Sequence, residues 1–251
     1  MTEASYTPEE FLICVMARLL EGAGHIAVGA ISPIPGSAAL LAREVSKTPV
    51  QVSIIHGDAN NPFTDGGREL FDCAGQGRVN VFFLGGAQID GEANINLLGT
   101  GAYPQIEKRF PGSFGSAFMY FVIPKVILFA PEHSGRVLVD KVDYISAPGT
   151  SPPEVHRPGG PKALVTGRCQ MSFDAAKKRF TLVSVHPGVT AEEVRDNTGF
   201  DFDAPDDVPR TPEPEADRLA LLRSSIGAEI GKTYPDFARG AFQPGAFWQR
   251  A

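Results

Sequence analysis

Three stretches of this 251-residue chain bring together residue types that chemistry uses. The first is Ile55-His56-Gly57-Asp58-Ala59-Asn60-Asn61, with an imidazole and a carboxylate two residues apart. The second is Gly85-Gly86-Ala87-Gln88-Ile89-Asp90, followed by Asn94 and Asn96. The third is Phe110-Pro111-Gly112-Ser113-Phe114-Gly115-Ser116. Glycines at strand ends expose backbone N–H groups, which can hold an oxyanion or a phosphate. Read alone, each loop is equally at home as an ordinary turn. A histidine beside such donors suits a general base titrating near neutrality.

The elements around them place all three at the carboxyl ends of strands, where ligands gather in open α/β sheets. Thr7-Pro8-Glu9-Glu10 is a helix start with an N-cap threonine, an early proline and a glutamate three residues on. Phe11, Leu12, Val15, Met16, Leu19 and Leu20 then recur at helical spacing, and Gly22 and Gly24 end the helix. Strands are expected at 25–30, 50–55, 79–84, 126–129, 137–139 and 182–185. Helices are expected at 37–45, 68–74, 190–199 and 217–226, after a turn at 32–36. Alternating strands and helices predict a mainly parallel open sheet with helices on both faces, in one domain over 1–251. Residues 201–216, rich in Asp, Pro and Glu, read as an exposed linker, and 217–251 as a final helix with an irregular tail.

The bulk properties narrow the function. The net charge is −6, with no long lysine or arginine block, which argues against nucleic acid. Apolar runs are broken well short of the roughly 20 residues of a membrane span. The acidic, polar N-terminus is unlike a signal peptide. Cys14, Cys73 and Cys169 have no metal-like spacing, and read as reduced thiols of a cytoplasmic protein that needs no metal.

The runs FFLGGAQIDGEANINLLGTG (82–101), RFPGSFGSA (109–117) and EHSGRVLVDKVDYISAPG (132–149) carry a resemblance. With ALVTGRCQMSFDAAKKRFTLVSVHPGVTAEEVRDNTGFDFD (163–203), they make the chain similar to the β subunit of glutaconate CoA-transferase, in the class I coenzyme A transferase family. The likeness spans nearly the whole chain. It implies the CoA-transferase fold and a homologous α partner, in an α2β2 assembly. It implies a coenzyme A thioester as substrate rather than a bound cofactor, with the acyl-CoA site at the subunit interface. In the family a β-subunit glutamate attacks the thioester, and a carboxylate suits this because it leaves readily from the resulting anhydride.

Alignment through the strand after Pro49 puts that glutamate at His56. No glutamate occurs from Pro49 to Gly67, and Asp58 comes two residues late, about 6 Å along an extended chain. Covalent catalysis needs finer placement. The family also contains branches with altered chemistry, among them a decarboxylase and two-subunit hydrolases of steroid ring degradation. In the latter the resemblance implies that the α partner supplies the catalytic carboxylate. His56 is then a general base or a positioning residue, or else only fills the vacated space.

The family's Gly-Ser-Gly-Gly loop reads Gly112-Ser113-Phe114-Gly115 here. Phe114 either narrows the site and lines it for an apolar acyl group, or packs in the subunit interface. Gln88, Asp90, Asn94 and Asn96 match a family pattern, and such short polar side chains tie loops together. Gly57, Gly85, Gly86, Ala87, Gly112, Ser113, Phe114 and Gly115 are the expected oxyanion and CoA-binding positions. His133 reads as a hydrogen-bonded structural histidine, and Lys108-Arg109, ahead of the third loop, either meets CoA phosphates or, the favoured reading, is solvated surface. His25, His156 and His186 carry no constellation.

Overall fold

The computed structural model describes residues 6–55, 57 and 60–242. Along the chain run α1 (Pro8–Arg18), β1 (His25–Val28), α2 (Pro33–Val45), β2 (Gln51–Ile54), α3 (Gly66–Gly75) and β3 (Val81–Leu84). Four two-residue strands follow: β4 (Gln88–Ile89), β5 (Ile95–Asn96), β6 (Gly99–Thr100) and β7 (Lys108–Arg109). Then come α4 (Ser116–Val122), β8 (Lys125–Ala130), β9 (Pro161–Thr166), β10 (Cys169–Asp174), β11 (Arg179–Val185) and α5 (Ala191–Asp196). The chain closes with α6 (Ala216–Leu221), a π-helical turn at Leu222–Ile226, α7 (Gly227–Ile230) and α8 (Pro235–Ala241).

The described residues form two compact units, one within 6–69, 79–81 and 212–242, the other of 70–78 and 82–211. In the first, β1 and β2 pair in parallel, and α1 and α2 bury nearly all of their apolar residues. Thr7 and Glu10 form the expected capping box. Glu10 is fully buried, and its carboxylate also accepts from Arg223 Nε at 2.7 Å and Nη2 at 2.8 Å. That guanidinium projects from the π-helical turn, a local irregularity often retained for a specific contact. Thr7 Oγ1 donates to Ala241 O at 2.7 Å, so the first helix is pinned to the last.

In the second unit the strand order is β11-β10-β9-β8-β3. β8 and β9 are parallel, whereas β9-β10-β11 is an antiparallel meander. Parallel pairing within each unit gives the α/β class that the alternation of strands and helices predicts. The 201–216 segment is largely exposed, but Asp203 and Arg210 bridge to Thr181 and Val185 of β11.

Several expected elements differ. The helix set at 37–45 begins at Pro33, because proline at the first helical turn forfeits only an N–H that has no partner there. The strand expected at 137–139 is a single bridge: Leu138 sits opposite Ile89, while Val137 and Leu138 donate to Ser134 O in a turn. In the tail beyond Gly231, expected to be irregular, 235–241 form α8. β9 and β10 were not anticipated.

Candidate functional site

Of the first loop, His56, Asp58 and Ala59 lie outside the described residues. Gly57 is buried in the first unit, and its N–H is already given to Ile54 O at 3.1 Å. Asn60 donates back to Gly57 O at 2.9 Å, and Ile54 N–H to Asn60 O at 2.9 Å. The Gly57 amide is thus occupied.

The second and third loops belong to the second unit, and two adjacent residues tie both. Ala87 N–H donates to Asn96 O at 2.9 Å, and Gly112 N–H to Leu97 O at 3.1 Å. This sorts the candidate donors. The amides of Ala87 and Gly112 are spent on this tie. Those of Gly85, Gly86, Ser113, Phe114 and Gly115 have no acceptor among the described residues. Gly86 tolerates no side chain, because a Cβ would lie 2.7 Å from Ile95 Cγ2 and 3.0 Å from Gln88 O.

The hairpin holding these loops is built from amides and one carboxylate. Asn96 Nδ2 donates to Gln88 Oε1 at 2.6 Å and to Gly99 O at 2.7 Å, while its Oδ1 accepts from the Leu98 and Gly99 N–H groups. Asp90 accepts from the N–H groups of Glu92 and Asn94 and from Asn94 Nδ2. Gln88 Oε1 also accepts from Asp143 N–H, and Asn94 Oδ1 from Gly149 N–H. All four side chains are buried and turned inward onto the backbone.

Phe114 is the outlier. Its φ of 45° lies in the left-handed region that L side chains avoid, and its side chain is 85% exposed. Its ring lies 5.4 Å from Phe71 of α3, which meets Phe118 of α4 edge-on at 6.1 Å. A Cβ on Gly115 would fall 2.0 Å from the Phe71 ring, so the chain can close over that ring only with glycine there. Phe71 and Phe118 were not among the expected site residues; Phe118 follows Phe114 by four residues, whereas Phe71 lies more than 40 residues earlier and has no local signal.

The remaining histidines sit elsewhere. His133 bonds Thr166 Oγ1 at 2.8 Å and Thr198 Oγ1 at 3.0 Å, and His186 bonds Thr211 Oγ1 at 2.9 Å and Thr166 O at 3.0 Å. Burial pushes both imidazoles down to about 4, so both are neutral at pH 7. Burial likewise lifts the Cys14 and Cys169 thiols to about 12, leaving them protonated and unreactive. His25 bonds Ser53 Oγ at 2.8 Å, His156 is exposed, and Glu132 is held by Arg136 and Ser134 on the surface. Lys108 and Arg109 are exposed. Among the described residues no group of three His, Cys, Asp or Glu side chains is placed to hold a metal, and no helix is long and apolar enough to cross a membrane.

Glycine loops at strand ends, on a sheet with parallel pairing in each unit, define an α/β protein of the kind that binds ligands at its loop edge. The family model for coenzyme A transferase matches residues 17–197, and the chain belongs to that family. The chain is 32% identical to the β subunit of the 3-oxoadipate CoA-transferase of Pseudomonas knackmussii, over 88% of this chain and 94% of that protein. It is 28% identical to the cholesterol ring-cleaving hydrolase IpdB subunit of Rhodococcus jostii, over 90% and 94%. Among solved structures, Rhodococcus jostii IpdAB superposes with a TM-score of 0.77 at 28% identity, covering 88% of this chain and 94% of that one. Glutaconate coenzyme A-transferase of Acidaminococcus fermentans superposes with a TM-score of 0.79 at 23% identity, covering 96% and 99%, a likeness of fold. The relatives matched in sequence are enzyme subunits.

Proposed function

We propose that this chain is the β-type subunit of a cytoplasmic heteromeric enzyme acting on an acyl-CoA thioester, with a homologous α-type subunit in an α2β2 assembly. Its chemistry is hydrolytic cleavage of a carbon–carbon bond in a CoA-linked ring, not CoA transfer. The observation that carries this reading is the missing nucleophile: between Pro49 and Gly67 there is no glutamate, and on the resemblance His56 falls where the family has one. The 28% identity to a ring-cleaving hydrolase subunit across 90% of the chain supports it.

In such a reaction water adds to a ring ketone and the adjacent carbon–carbon bond breaks. The electron pair passes to the carbon beside the thioester, which then takes the proton that water lost. A base is needed for the water and N–H donors for the developing oxyanion. His56 serves as that base or positions the partner's carboxylate. The open amides of Gly85, Gly86, Ser113, Phe114 and Gly115 are the available loop donors among the described residues. Gln88, Asp90, Asn94 and Asn96 order the loops that present them, and Ala87 and Gly112 tie those loops together.

The 32% identity to a 3-oxoadipate CoA-transferase subunit favours a second reading, true CoA transfer through another carboxylate such as Asp58. Carboxylate trapping in the assembled enzyme separates the two, and substituting residue 56 tests whether this chain's histidine takes part. On the hydrolytic reading, His56→Ala lowers kcat about 100-fold or more, the scale of general base catalysis, and the loss varies with pH. An unaltered rate in His56→Ala reduces the chain to a scaffold for its partner's chemistry.

A further inference from the structure

We infer that Phe114 selects the acyl group: with Phe71 and Phe118 it forms an aromatic shelf for the branched or alicyclic carbon skeleton of the thioester. This assignment rests on the acyl-CoA reading above. Phe114 holds a phenyl group in a backbone conformation that glycine would adopt freely, with the ring turned outward. Packing alone does not account for this, because a ring left 85% exposed buries little. The shelf is nevertheless fixed. Phe71 supports the Phe114 ring at 5.4 Å, Phe118 meets Phe71 edge-on, and Gly115 lets the backbone close over Phe71.

The ring and the open amides are on one loop. Ser113, Phe114 and Gly115 offer N–H groups without acceptors among the described residues, so a carbonyl oxygen held there leaves its acyl chain within reach of the phenyl group. Asn96 and Leu97 accept from Ala87 and Gly112, which ties this loop to the stretch that carries Gly85 and Gly86. The exposed cations Lys108 and Arg109 lead into the loop and give an otherwise acidic chain local positive charge, suited to the phosphates of coenzyme A. Three rings match an acyl group in size, whereas a stable protein interface recruits about 20 residues a side. Apolar contact discriminates by size and shape, and a shelf of phenyl rings rewards a wide apolar skeleton over a short chain.

The test measures binding of cyclohexanecarboxyl-CoA and acetyl-CoA to the assembled two-subunit complex by calorimetry. The native complex is expected to prefer the cyclohexane thioester, and Phe114→Gly to reduce the preference about 10-fold. Phe114→Leu should retain part of it, and Phe118→Ala, read in parallel, should weaken it in the same direction. An unchanged preference in Phe114→Gly and Phe118→Ala overturns the assignment while leaving the acyl-CoA reading intact. So does loss of subunit assembly in Phe114→Gly with an unchanged preference in whatever complex remains. If the native complex binds neither thioester, the acyl-CoA reading itself fails.

Discussion

Two regions of the second unit handle polar and aromatic groups in opposite ways. Around β9–β11, every hydrogen-bonding atom of His133, His186, Thr166, Ser184 and Thr211 that the packing shuts from water has a partner. At the 110–116 loop, amides are left open, a phenyl ring faces outward, and a non-glycine residue holds a left-handed φ. The first arrangement is what stability requires, since a buried polar group without a partner costs about 1–3 kcal/mol. The second costs stability and persists because the surroundings impose it, a pattern that clusters where proteins bind and react. His133 and His186 are therefore structural histidines.

The sharpest way to break this contrast is acid. His133 and His186 ionise near 6.5 when unfolded and at about 4 when folded, so the folded state binds fewer protons between those values. Their neutral forms contribute fully above pH 6.5, and that contribution is lost as pH falls toward 4. The loss is about 3 kcal/mol per histidine, large against the stability of an ordinary domain. Urea midpoints at pH 7, 6 and 5 should decline accordingly, and a His133→Gln/His186→Gln double variant should flatten the decline. A flat profile in the native chain would mean that these imidazoles are not buried as neutral groups.

Smaller effects follow from removing single members. His186→Ala strips its bond from Thr166 O and one of two partners from the Thr211 hydroxyl, and should cost about 2–4 kcal/mol in equilibrium unfolding. Ser184→Ala deletes one 2.6 Å hydroxyl contact to Thr211, worth about 1 kcal/mol by the same measurement. Phe114→Gly should change stability by no more than about 1 kcal/mol, because the backbone penalty it relieves offsets the ring contact it loses. A large destabilisation by Phe114→Gly would place that ring with the structural groups and erase the contrast.

How much of this the residues alone disclosed depends on how local each signal is. The Thr7 and Thr190 capping boxes and the apolar runs of β1, β2, β3 and β8 were legible because they are short-range patterns. β9 and β10 were not, although Cys169–Asp174 alternates along much of its length between buried and more exposed positions; Pro161 and the Gly167 turn masked a hairpin whose partners are set by tertiary pairing. The glycine loops and the polar positions of the 88–96 hairpin were visible as motifs. Which amides are spent and which are open was invisible, because it depends on the Asn96–Leu97 tie. Phe71 was equally hidden, since nothing in its own segment announces the ring it supports.

The central claim is that this chain takes part in acyl-CoA chemistry without offering its own carboxylate as nucleophile. It is tested most directly by exposing the assembled enzyme to its acyl-CoA substrate, treating it with borohydride or hydroxylamine, and mapping peptides of both subunits by mass spectrometry. The account predicts turnover with every carboxylate of this chain unmodified. A reduced or hydroxamate-bearing Asp or Glu on this chain, Asp58 above all, would establish CoA transfer and contradict it.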